Sequence, residues 1–157
     1  MPQSSVMTQE MRNSVGVDSE PMTHTVELGA VRKFAQAIGD PNPLYYDEER
    51  SRRTRYGGII APPTFLRSFS PWPSSVAFRS PYPDLLDGGS EWEFFGPPVR
   101  PGDRITVTTR IVDLRERTGQ LGDMLFVTSE TRHADQSGAV VAVERNTLIY
   151  YRASGEP

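Results

Sequence analysis

The chain has 157 residues, 36% of them hydrophobic and 10% aromatic, enough for one modest core, whereas two separate domains would each be marginal. Its 17 basic and 20 acidic residues give a formal charge of -3, so it lacks the basic face that a phosphate backbone demands, and nucleic acid is excluded as an expected partner. The absence of cysteine removes disulfides, thiol nucleophiles and thiolate metal sites; no window approaches eighteen apolar residues and no leader pattern opens the chain, so no membrane is expected and the cytoplasm is the expected compartment.

Residues 1–20 are polar and poorly periodic, and a mobile tail is expected there. From Val26 the pattern changes. Val31, Phe34, Ala35 and Ile38 fall at i, i+3, i+4 and i+7, the apolar stripe of a short helix that Gly39 can end. Asp40 to Pro43 reads as a turn, because Pro41 and Pro43 fix their own backbone angles and push their predecessors out of the helical region. A charged helical stretch follows from Asp47 to about Arg55, and Tyr56-Gly57-Gly58 breaks it. Ile59-Ile60-Ala61 runs into Pro62-Pro63, after which residues 64–69 read as a helix burying Phe65, Leu66 and Phe69.

Residues 71–90, with Pro71, Pro73, Pro81 and Pro83, read as a long loop of the kind that in a compact domain is functional or mobile. Four strands are expected after it, over residues 92–95, 104–114, 124–132 and 139–152, separated by the turn signals Pro101-Gly102-Asp103, Thr118-Gly119 with Gly122, and Asp135-Gln136-Ser137-Gly138. Ile105, Val107 and Ile111 alternating with Thr106, Thr108 and Arg110 give the period of a half-buried strand. Helices first and antiparallel strands after make an α+β domain over residues 21–152, with residues 153–157 expected to fray.

The segment Phe34 to Glu48, together with residues 56–65 and Val99-Arg100-Pro101-Gly102-Asp103, resembles the MaoC-like, or type 2, enoyl-thioester hydratases and hydroxyacyl dehydratases. That resemblance implies a single hot-dog fold, a curved antiparallel sheet wrapped around a long central helix, usually paired as a dimer. It also implies reversible hydration of the α,β double bond of an acyl-CoA or acyl-carrier-protein thioester. Such chemistry needs a group to deprotonate water, one to exchange a proton at the α-carbon and a donor for the enolate oxygen. In active members an Asp-x-Asn-Pro-x-His loop shares the first two tasks and backbone amides perform the third; no cofactor is implied.

Asp40 and Asn42 match that loop, but Tyr45 stands where the histidine is expected, and a phenol with a reference pKa near 10 is a poor base at neutral pH. The His-Gly pair that opens the central helix in many active members falls on Pro62-Pro63, and Pro63 has no N–H to donate. Both departures resemble the non-catalytic units of two-domain and heterodimeric family members. Asp40, Asn42 and Tyr45 are therefore the candidate residues of a degenerate catalytic site, and Tyr46, Ile60, Pro63, Phe65 and Phe69 the candidates for substrate binding.

The expected function is an accessory subunit, binding the thioester beside a catalytic MaoC-like partner. Two rivals stay open: a self-sufficient hydratase using Asp40 with Tyr45 or a bound water, and a binding protein or homodimer that holds a thioester or polyketide-like ligand without turnover. Arg50, Arg52, Arg53 and Arg55 could meet CoA phosphates or an acidic carrier protein, but Asp47, Glu48 and Glu49 can pair with them along the helix, and a solvated face is the favoured reading. Tyr45 and Tyr46 are favoured as packing residues, and Trp92, Phe94 and Phe95 as core. His24 and His133 lie outside the motif, and no metal site is expected.

Overall fold

The computed structural model describes residues 5–70, 78–120 and 122–152. Five antiparallel strands form one sheet in the order β1 (Met22–Thr25), β3 (Arg104–Gly119), β4 (Gly122–Ala134), β5 (Val140–Arg152), β2 (Asp84–Phe94). The expected meander is β3–β4–β5, and β1 and β2 lie on its two edges. Along β3, Ile105, Val107, Thr109 and Ile111 are buried and their neighbours are not, so the sequence alternation becomes a face. A bulge at Val112, between the pairs Ile111–Ser129 and Asp113–Thr128, then shifts which residues share that face.

Helix α2 (Leu28–Ala37) buries Val31 and Ala35, as its apolar stripe requires, while Ile38 lies just past its end and is exposed. Together with the 3-10 helix Pro63–Phe69 it covers one end of the sheet, where Val31, Phe65 and Leu66 pack on Ile105, Val107 and Ala142. The Phe65 ring meets Phe34 and Phe69 edge-to-face at 5.6 and 5.3 Å. The long central helix implied by the resemblance is here seven residues of tight 3-10 winding, opened by two prolines that lack the N–H groups a regular first turn would use.

Two expectations are corrected. Residues 71–77 lie outside the described residues, but the loop foreseen up to residue 90 ends earlier, because β2 begins at Asp84 and runs through Gly88-Gly89 as a bulge opposite Thr147. A Cβ on Gly88 would stand 2.8 Å from the Thr147 carbonyl oxygen, so glycine lets the edge strand approach.

The second correction concerns the N-terminal segment. Within it, helix α1 (Gln9–Ser14) is capped by Thr8 and buries Met11 with Phe78, Ile111, Leu125 and Val127 in a second apolar cluster. One fully buried methionine supplies the anchoring that the polar composition conceals. Residues 1–4 and the C-terminal 153–157, expected to fray, lie outside the described residues.

Candidate functional site

Gly39 takes φ of +69° and turns the chain out of α2, and the Asp40 N–H then donates to the Ala35 carbonyl at 3.0 Å. Asp40 Oδ1 accepts from the Asn42 N–H at 2.9 Å, and Asn42 Oδ1 accepts from the Leu44 N–H at 3.1 Å, capping the 3-10 turn Pro43–Tyr45. Both motif side chains thus hold their own loop. The Tyr46 hydroxyl donates to the Asp40 carbonyl at 3.0 Å, and Arg32 donates to the Tyr46 carbonyl at 3.2 Å. The loop is locked from both sides.

Beside it lies a largely apolar pocket of about 350 Å³. Asn42, Tyr45 and Tyr56 form one wall, Ile60 to Pro63 with Leu66 another, and Phe94 to Val99 with Val141 the rest. Tyr45 is buried with Ala35 and Ile60. Burial pushes its phenol above the usual value, the Asp40 charge and Tyr56 add to the rise, and a hydrogen bond with Asn42 opposes it. At neutral pH Tyr45 is therefore even less ionised than a free phenol, and little phenolate is present to act as a base.

The second wall offers no backbone donor over four consecutive positions. The Ile60 N–H is spent on the Leu44 carbonyl at 3.2 Å, the Ala61 N–H is spent on the Val99 carbonyl at 2.8 Å, and Pro62 and Pro63 have none. An enolate oxygen brought against this wall would meet no preorganised amide.

Of the expected binding residues, Ile60 and Pro63 line the pocket with Asn42 and Tyr45. Phe65 is core, Phe69 stacks on His24 at 4.7 Å, and Tyr46 braces the loop, so these three lie outside the pocket's lining, as does Asp40. Phe94 and Phe95, favoured as core from the sequence, are instead 48% and 40% exposed at the pocket's edge.

A buried polar cluster next to the pocket was missed by sequence reasoning. Glu144 on β5 accepts from Ser70 at 2.7 Å and from Ser90 at 3.2 Å, and it pairs with Arg67 at 3.4 Å. His133 on β4 is fully buried, with Nε2 3.4 Å from the Ser70 hydroxyl and its ring 5.5 Å from that of Trp92. Burial brings its pKa down to about 4; the Leu66 and Ala142 carbonyls oppose the shift, while Arg67 and His24 add to it. The cluster grips the C-terminal end of the 3-10 helix whose N-terminal end walls the pocket. No local signal could have found it, because Ser70, His133 and Glu144 are far apart in the chain. Among the described residues no group of three or more His, Asp or Glu is placed to hold a metal ion.

A family model described as the FAS1-like, dehydratase domain region, matches residues 13–144. A UPF0336 protein of Streptomyces avermitilis is 33% identical over 138 residues, covering 83% of this chain and 89% of that one. The probable enoyl-CoA hydratase alpha subunit of Thermomonospora curvata is 30% identical over 145 residues, 81% of this chain but 45% of that longer protein. Among solved structures, the MaoC-like dehydratase from Rhodospirillum rubrum superposes with a TM-score of 0.66 at 26% identity, covering 91% of this chain and 94% of that one.

Proposed function

The chain belongs to the FAS1-like dehydratase-region family of hot-dog proteins, and from that premise we propose that it is the thioester-binding accessory subunit of a (3R)-hydroxyacyl-thioester dehydratase or enoyl-thioester hydratase. The observation that carries this reading is the pocket wall from Ile60 to Pro63, which has no free amide, facing a phenol of raised pKa where a general base would be needed. A largely apolar pocket of about 350 Å³ that lacks base and donor supports binding more than turnover. The bonds that Asp40 and Asn42 make to their own loop support a positioning role for both.

In this reading a catalytic hot-dog partner with an intact Asp-x-Asn-Pro-x-His loop supplies the base and the amide donor, and the present chain helps hold the CoA or carrier-protein thioester. The hydratase alpha subunit among its relatives is named as part of a larger assembly, which supports the same arrangement. The test is hydration of crotonyl-CoA and longer enoyl-CoAs, by the chain alone and mixed with such a partner. Activity only in the mixture, insensitive to Asp40→Asn in this chain, is expected. Hydration by the chain alone that Asp40→Asn abolishes would favour the self-sufficient alternative, and binding without turnover in both would favour a ligand-binding protein.

A further inference from the structure

The four arginines between residues 50 and 55 are not equivalent. Arg52 pairs with Glu48 at 2.6 Å and Arg53 pairs with Glu49, each one helical turn along α3 (Glu48–Arg52) and its end. These two are the neutralised, solvated face expected from the sequence. Arg55 lies beyond the helix and makes no ion pair with a carboxylate among the described residues. It donates instead to the Tyr56 hydroxyl at 2.8 Å, with its guanidinium carbon 4.9 Å from the centre of the same ring.

Tyr56 is half-buried and forms part of the pocket wall beside Tyr45. Its hydroxyl, bonded to an exposed guanidinium, marks the place where the pocket meets solvent. A fixed cation with most of its donors free thus stands one side chain away from an apolar pocket, on a chain whose formal charge is -3. A guanidinium held this way is pre-organised for a phosphate, which it can engage with two parallel N–H donors.

We infer that Arg55 is the anion contact of this pocket and binds the phosphate of a phosphorylated pantetheine arm, the neutral arm lying in the pocket. This rests on the proposed function for the nature of the ligand. The same phosphate ester occurs in free CoA and in the arm attached to a carrier protein. Tyr56 acts as the brace, and Arg55 sets specificity for a phosphorylated carrier over an unphosphorylated one.

The test is calorimetric titration of the full chain with octanoyl-CoA, octanoyl-4'-phosphopantetheine and octanoyl-pantetheine, for the wild type, Arg55→Gln and Arg53→Gln. The wild type and Arg53→Gln are expected to bind both phosphorylated ligands about tenfold more tightly than octanoyl-pantetheine, and Arg55→Gln to lose that advantage while its affinity for octanoyl-pantetheine is unchanged. An advantage shared by octanoyl-CoA and octanoyl-4'-phosphopantetheine identifies the phosphate common to both, whereas one confined to octanoyl-CoA would place the contact on the nucleotide part and overturn the inference. Equal losses for all three ligands would make Arg55 a prop for Tyr56 and overturn the inference, as would no loss for any. Wild-type binding without dependence on Arg55 would overturn this inference alone, whereas no binding of any thioester would remove the proposed function as well.

Discussion

His133 makes the native state vulnerable to acid in a way that can be isolated. The ring is fully buried beside Ser70, Glu144, Arg67, His24 and Trp92, and its pKa of about 4 lies below the ordinary 6.5 that applies in the unfolded chain. Between those two values the unfolded chain binds a proton that the native one refuses, so this contribution is fully present above pH 6.5 and is lost as pH falls toward 4. From these two values the loss between pH 7 and pH 4.5 comes to about 2 kcal/mol.

Urea unfolding of the wild type and His133→Asn at both pH values reads that loss as a difference. Glu130, held below the usual carboxylate range because Arg145, Arg110 and Arg132 outweigh the effect of its burial, weakens both proteins in acid alike and cancels. The wild type should lose about 2 kcal/mol more than the variant over the interval. Equal losses would refute the reasoning, because His133 would then be no less basic in the folded chain than in the unfolded one. The same protonation should loosen the 3-10 helix through Ser70 and Arg67, and with it the pocket wall that contains Pro63 and Leu66.

Three further outcomes follow from the packing. Met11→Ala should cost about 2–4 kcal/mol in urea unfolding, because the side chain fills the second apolar cluster; a change under about 0.5 kcal/mol would mean that α1 is not part of the folded unit. Gly88→Ala should destabilise by about 1–3 kcal/mol, since the added methyl would meet the Thr147 carbonyl oxygen at 2.8 Å, and an unchanged midpoint would show that the edge strand yields freely. Tyr45→Phe removes the hydroxyl bonded to Asn42 and should cost about 1 kcal/mol of stability, with hydration by the mixed complex kept within about twofold. A rate loss of a hundredfold at unchanged KM would make the phenol catalytic.

What the sequence disclosed follows from range. The α2 stripe, the Gly39 stop and the alternation along β3 are local patterns, and each is reproduced, except that Ile38 falls past the helix end and is exposed. The Gly39–Tyr45 loop was legible for the same reason, since Asp40 and Asn42 bond to residues two positions ahead. The first half of β2 was hidden because paired glycines and preceding prolines imitate a loop, and only the cross-strand neighbour Thr147 explains them. Helix α1 was hidden because Met11 alone supplies its apolar burial, its other buried residue being Ser14. The Ser70–His133–Glu144 cluster and the role of Phe94 and Phe95 at the pocket's edge depend on contacts across the sheet, which no window of sequence contains.

The central claim is that this chain binds a thioester without performing the hydration itself. The most direct measurement is the rate of crotonyl-CoA hydration by the purified chain, alone and with a hot-dog partner that retains the Asp-x-Asn-Pro-x-His loop. The account predicts background rates alone and turnover in the mixture, kept when Asp40 is replaced by Asn in this chain and lost when the partner's aspartate is replaced. Turnover by the chain alone, abolished by Asp40→Asn, would contradict it.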